Sequence, residues 1–179
     1  LTGLYEQLEV VTIDGNDPES TQINPNPLHK IPALALESGE LIVDSKVICE
    51  YLIRASGRTE ILPDDHRVYH LSRAAIADGM TEAALLMVYE RRFREPSQIN
   101  TDWLHRQNQK VLGGLQWWTD NITPVQSTPT LDQIGLAVSL GYLDFRFSGE
   151  WRTRFTDLAL WLTQFQQMVP AYQLTDPQA

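Results

Sequence analysis

The chain has 179 residues, 42% of them hydrophobic, with 14 Lys and Arg against 23 Asp and Glu for a net charge of −9. That length holds one medium domain or two small ones, and the acid excess excludes a surface that grips nucleic acid or anionic lipid chiefly by charge. A lone cysteine, Cys49, excludes an intrachain disulfide framework and a multi-cysteine metal site. No apolar run reaches the roughly 18–20 residues of a transmembrane helix. No basic stretch followed by an apolar one opens the chain. The expectation is a soluble protein of a reducing, cytoplasmic compartment, without membrane or nucleic-acid partners.

In chain order, Leu8, Val10, Val11 and Ile13 form a β-branched run that predicts a strand, closed by the turn-forming Asp14-Gly15-Asn16-Asp17-Pro18. The polar stretch ending Asn24-Pro25-Asn26-Pro27 is too proline-rich for a regular helix. Ala33 to Leu36 predicts a short strand, Ser38-Gly39 a hairpin turn, and Leu41-Ile42-Val43 the returning strand. Ser45 is placed to cap a helix with apolar positions Val47, Ile48, Tyr51 and Leu52, which Gly57 would end.

Arg58 to Asp64 is expected as a linker. Beyond it the pattern turns helical. His66 to about Glu95 predicts one long amphipathic helix interrupted only at Asp78-Gly79, and Pro96-Ser97 breaks it. Trp103–Trp118, Thr130–Phe145 and Trp151–Met168 follow, the last with Phe155, Leu158, Leu162 and Phe165 on one face. The predicted architecture is α/β plus all-α: residues 1–57, a linker at 58–64, and a helical domain over 65–179.

The segment Asn26-Pro27-Leu28-His29-Lys30-Ile31-Pro32-Ala33-Leu34, followed by Val43-Asp44-Ser45, resembles the cytosolic glutathione S-transferases. Their thioredoxin-like N-terminal domain carries N-P-x-x-K-[VI]-P-x-L and, after a hairpin, an acidic-Ser pair. Ser45 falls 13 residues after Pro32, as in that pattern. Thr130-Leu131-Asp132-Gln133-Ile134, running into Gly141-Tyr142-Leu143-Asp144-Phe145-Arg146, is similar to the family's sixth helix and most like a bacterial subgroup. The resemblance implies that the family's first strand and most of its first helix belong before Leu1. The catalytic Ser, Cys or Tyr belongs with them, so it is not assignable here.

The resemblance also implies a glutathione site, with glutathione as co-substrate and no metal. A cis Ile31–Pro32 bond would turn the Ile31 N–H and C=O toward the cysteinyl unit, as an added strand edge. The Ser45 hydroxyl and nearby amides would take the γ-glutamyl carboxylate, Asp44 its ammonium, and Lys30 the glycyl carboxylate. On the residues alone, the alternatives are an ordinary trans proline at a strand start, a helix cap beside an acid, and an exposed lysine.

Cys49, beside Ile48, is expected as a core thiol. His66 and His70, at i, i+4, are expected on the surface of the long helix, since no carboxylate–histidine pattern supports a metal. Tyr89-Glu90-Arg91 suggests a solvated helix face with one buried ring. Thr130 with Gln133 suggests a capping box, and Asp144 a tether to a loop. Gly79 in mid-helix suggests close packing at a dimer axis, since it costs about 1 kcal/mol against alanine.

The resemblance implies conjugation of the glutathione thiolate to a small electrophile, or reduction of a glutathione-linked disulfide, by a homodimer. A non-catalytic interaction module on the same fold is the alternative.

Overall fold

The computed structural model describes residues 1–15 and 17–175, in two units, Leu1–Asp64 and Asp65–Ala179. A small thioredoxin-like α/β unit precedes an all-helical one.

In the first unit the expected strand at Leu8–Ile13 does not form. A 3-10 turn over Tyr5–Gln7 leads into irregular backbone, with Val10 and Val11 exposed. A strand persists by pairing its amides with a neighbour. The sheet among the described residues is a single antiparallel hairpin, and this run pairs with neither of its strands. Asn16, in the turn that follows, lies outside the described residues.

A short helix, α1 (Pro18–Gln22), was not expected. Asp17 caps it by accepting from the Glu19 N–H at 3.1 Å. Pro18 sits in the first turn, where its missing N–H removes no helical hydrogen bond.

Strands β1 (Ala33–Ala35) and β2 (Leu41–Val43) pair in the register Ala33↔Val43, Leu34↔Ile42 and Ala35↔Leu41. Helix α2 (Ser45–Ser56) follows and buries Ile48 and Ile53. Gly57 ends it with φ of 71° and an N–H that donates to the Arg54 carbonyl at 3.1 Å. Cys49 is half-buried rather than buried, because its neighbour Ile48 takes the inward position. Arg58–Asp64 is more than a connector: it carries a 3-10 turn, Thr59–Ile61, and buries Ile61 and Leu62.

In the second unit α3 (Arg67–Arg92) runs unbroken through Asp78-Gly79. Gly79 is exposed, and a Cβ there would meet nothing within 4 Å, so its place is not explained by packing within the chain. The close approach lies on α4 (Thr101–Asn121), where a Cβ on Gly114 would come within 2.6 Å of the buried Met80 Sδ. Gly114→Ala is therefore expected to destabilise by about 1–3 kcal/mol, although alanine is the better helix former. An unchanged urea midpoint would show that Met80 yields freely.

Helix α3 packs on α4 and on α5 (Leu131–Phe147). Small residues allow the α3–α5 approach: Ala77 is fully buried, and the Ser139 hydroxyl reaches its carbonyl at 2.7 Å. Thr81 Oγ1 lies 2.7 Å from Ser139 Oγ. Trp151, expected within the last long helix, instead belongs to a 3-10 turn over Glu150–Thr153. Its indole N–H donates to Asp144 Oδ1 at 2.9 Å, and Asp144 also accepts from Arg152. Helix α6 (Thr156–Met168) then buries Leu158, Leu162 and Phe165, with Phe155 just ahead of it. Helix α7 (Ala171–Leu174) is the last described element.

Three polar assignments change. Thr130 precedes α5, but its hydroxyl donates to Asp132 Oδ1 at 2.6 Å and makes no cap bond. Gln133 turns away to donate to Thr123 Oγ1 and the Pro124 carbonyl, so no capping box forms. His70 is not a surface group: its Nδ1 lies 2.7 Å from Asp132 Oδ1, and Arg73 Nε donates to Asp132 Oδ2 at 2.6 Å. In Tyr89-Glu90-Arg91 the buried member is the glutamate. It accepts from the Asn100 N–H at 3.0 Å and pairs with Arg94 at 2.7 Å, while the Tyr89 ring is exposed.

Candidate functional site

The five residues singled out lie at one end of the hairpin, and the register places them there. Ala33 pairs with Val43, so the segment that enters β1 through Ile31 and Pro32 and the segment that leaves β2 through Asp44 and Ser45 start from the same end of the hairpin. Lys30 directly precedes Ile31 along the chain.

Two asparagines shape the loop that delivers Ile31. Asn24 Oδ1 accepts from the Asn26 N–H at 2.9 Å, and Asn26 Oδ1 accepts from the Leu28 N–H at 3.0 Å. These are consecutive Asx turns, each spanning a proline that fixes φ. Both asparagines are buried, and both Nδ2 groups donate to the Lys30 carbonyl, at 3.2 and 2.9 Å. His29, with φ of 52°, completes the bend. The Ile31–Pro32 peptide is cis. Ile31 is 64% exposed, and among the described residues neither its N–H nor its C=O is hydrogen-bonded.

Asn26→Ala removes a buried donor–acceptor group from this loop. The expected cost is about 1–3 kcal/mol, with faster hydrogen exchange at the Leu28 amide. Retention of wild-type exchange there would show that Asn24 and the prolines suffice.

Across the hairpin, the cap of α2 is Asp44 rather than Ser45. Asp44 Oδ1 accepts from the Lys46 N–H at 2.9 Å, and the Asp44 carbonyl takes the Ile48 N–H at 2.9 Å. Asp44 holds a positive φ of 75°, which an aspartate tolerates better than most residues. Ser45 thereby becomes the first helical residue. Among the described residues its N–H and its hydroxyl make no hydrogen bond, and the side chain is exposed. An open N–H and hydroxyl at the positive end of a 12-residue helix favour an anion, above all a carboxylate. The end of the hairpin thus offers two unpaired backbone groups at Ile31, an open helix start at Ser45 and an acid next to it in the chain. A zwitterionic peptide fits that set.

The N-terminal domain model of the glutathione S-transferases matches residues 1–55. Over 98% of the chain, the structure is similar to that of a Pseudomonas fluorescens Pf-5 glutathione transferase family member with bound S-(propanoic acid)-glutathione. The identity is 32%, the TM-score 0.81, and 88% of that protein is covered. The chain belongs to the glutathione S-transferase family.

A second transferase, from Methylobacillus flagellatus KT with glutathione bound, is 29% identical with a TM-score of 0.81, over 92% of this chain and 85% of its own. The uncharacterized GST-like protein YibF of Escherichia coli K12 is 36% identical over 128 residues. That match spans 68% of this transferase-family chain and 62% of YibF.

Within this transferase-family chain, Asn24 and Asn26 are the site-shaping residues that the sequence pattern did not bring forward. The signal was there in Asn-Pro-Asn-Pro, since an asparagine two residues ahead of a free N–H favours an Asx turn. No helix is long and apolar enough to cross a membrane, and no group of three or more metal-ligating side chains occurs among the described residues.

Proposed function

We propose that the protein binds glutathione at the end of the hairpin and presents its thiolate for transfer to a small electrophile or for reduction of a glutathione-linked disulfide. The observation that carries this reading is that the Ile31 N–H and C=O, just before β1, and the Ser45 N–H and hydroxyl, just after β2, are all unpaired among the described residues. Bound S-(propanoic acid)-glutathione in one solved relative and glutathione in the other support it.

The cysteinyl unit pairs with Ile31 as an antiparallel strand would, with Pro32 fixing the chain direction just beyond. The γ-glutamyl carboxylate accepts from the Ser45 N–H and hydroxyl. The remaining oxygen of Asp44 accepts from the ammonium, and Lys30 pairs with the glycyl carboxylate. Held there, the thiol loses its proton to solvent. The sulfur lone pair then forms the S–C bond to the electrophile as its leaving group departs, or the S–S bond to a disulfide sulfur as the other thiolate leaves. A cytoplasmic setting, where glutathione is kept reduced, suits both reactions.

Retention on immobilised glutathione, followed by a chlorodinitrobenzene assay, tests the reading. Specific elution by free glutathione and thiol-dependent turnover are expected. Failure to be retained would contradict it, and retention without turnover on several electrophiles would limit the role to binding.

A homodimer belongs to the same proposal. Met80 and Met87 of α3 are spent in the chain's own core, but Val68 is 80% exposed beside the half-exposed Tyr69, an apolar pair suited to a two-fold contact. Light scattering at micromolar concentration should give twice the chain mass, and a monomeric mass would overturn the dimer.

A further inference from the structure

The chain contains two Asp-Gly pairs, Asp14-Gly15 and Asp78-Gly79. An aspartate ahead of a glycine is open to attack on its own side chain, because the glycine amide nitrogen carries no neighbouring Cβ to obstruct it and its backbone turns freely. The fold places the two pairs in opposite settings.

Asp14 and Gly15 are both exposed, in the turn ahead of α1. The backbone of Asp14 is held on either side: its N–H donates to Ser20 Oγ at 2.8 Å, and its carbonyl accepts from the Asp17 N–H at 3.1 Å. Among the described residues the Gly15 N–H makes no hydrogen bond, and a Cβ on Gly15 would meet nothing within 4 Å. Asp78-Gly79 lies inside α3. There the Gly79 N–H belongs to the intrahelical ladder, and the Asp78 side chain leans toward the start of the helix, away from the amide that follows it. Ring closure at that pair needs an opening of the helix that seats Ala77 and Met80 in the core.

We propose that Asp14-Gly15 is a site of spontaneous isoaspartate formation in the folded protein, and that the fold protects Asp78-Gly79 from the same reaction. The Gly15 nitrogen forms a bond to Asp14 Cγ, and the amide proton leaves with a carboxyl hydroxyl as water, closing a five-membered succinimide. Water then adds back. Cleavage of the ring at the side-chain carbonyl restores aspartate, and cleavage at the main-chain carbonyl leaves Gly15 bonded through the side chain, with a free α-carboxylate. No oxidant, reductant or co-reactant other than water takes part. The isoaspartyl chain carries one extra backbone carbon, and the Asp14 carbonyl becomes part of that carboxylate. The turn hydrogen bond to the Asp17 N–H is thereby disturbed, at the residue that caps α1. The site shares no residue with the hairpin end and stands whether or not glutathione binds there.

The test uses the full chain, warmed for weeks at neutral pH and then digested. Isoaspartyl peptides are separated from their aspartyl forms at unchanged mass and located by electron-transfer fragmentation. Isomerisation at Asp14 should exceed that at Asp78 by about tenfold or more, because only the second pair must open to react. Unfolding in guanidinium chloride should bring the two pairs to comparable rates. Gly15→Ala, which the open space accommodates, should keep the wild-type melting temperature and slow the Asp14 reaction by roughly tenfold. The aged protein should show faster hydrogen exchange at the Asp17 amide. An unmodified Asp14, equal isomerisation of the two pairs in the folded chain, a difference between them that persists in guanidinium chloride, or a Gly15→Ala chain that reacts as fast as wild type would each overturn the proposal.

Discussion

Ser45→Ala is expected to weaken glutathione binding by about ten- to a hundredfold while leaving the fold almost untouched. The hydroxyl supplies one charge-assisted hydrogen bond to a carboxylate, worth roughly 1.5–3 kcal/mol, which is that range of affinity. The cap of α2 is Asp44, whose carboxylate holds the Lys46 N–H, so removing the serine hydroxyl deletes no helix-capping bond. Asp44→Ala should differ in kind: the helix loses a cap worth about 1 kcal/mol as binding falls. Cys49→Ala, a half-buried change one turn into the same helix, should bind nearly as wild type. Calorimetric titration of the three variants checks this. Wild-type affinity in Ser45→Ala with loss in Cys49→Ala would move the site from the helix start to the thiol.

Asp132→Asn is expected to cost about 3–5 kcal/mol of stability, the largest effect of any single change considered. Asp132 is 2% exposed and accepts from Thr130, Arg73 and His70. Arg73 is itself buried, donates also to the Asn121 carbonyl at 3.0 Å, and lies over the Trp118 ring at 4.5 Å. Removing the carboxylate charge strands that guanidinium. Replacing both partners by apolar residues of similar size, Arg73→Met with Asp132→Leu, should destabilise less than Asp132→Asn alone, because no buried charge is left unpaired.

The pH dependence follows from the same carboxyl. Burial pushes it up, but the bonds from Thr130, Arg73 and His70 outweigh burial and hold it below the usual carboxylate range. Its contribution is therefore complete above the unfolded value near about 3.9 and is lost as pH falls through the lower folded value. Wild type should shed stability over that acid window. Asp132→Asn should show a flatter profile there, and parallel profiles would place the acid sensitivity elsewhere.

Much of the architecture was legible from punctuation and period. Ser38-Gly39, Gly57, Pro96 and the apolar spacing of the long helices mark their boundaries to within a few residues. The strand at Leu8–Ile13 was not decidable locally, because β-branched residues favour a strand only where a partner edge exists. Asp44 and Ser45 show the same limit at the site. Both residues can cap a helix, and only the positive φ of Asp44 settles which one does, freeing the serine for a ligand. The Gln133 and His70 assignments turned on partners 9 and 62 residues away, which spacing along the chain does not reveal.

Glutathione titrated into the nitrogen-15-labelled full chain, followed by amide chemical shifts, tests the central claim most directly. Saturable shifts at Ile31, Ser45 and Lys46, with the Ile31 amide moving downfield as it gains a hydrogen bond and the Leu136 and Leu158 amides still, are the predicted result. No saturable change, or shifts confined to the helical unit, would contradict a glutathione site at the end of the hairpin.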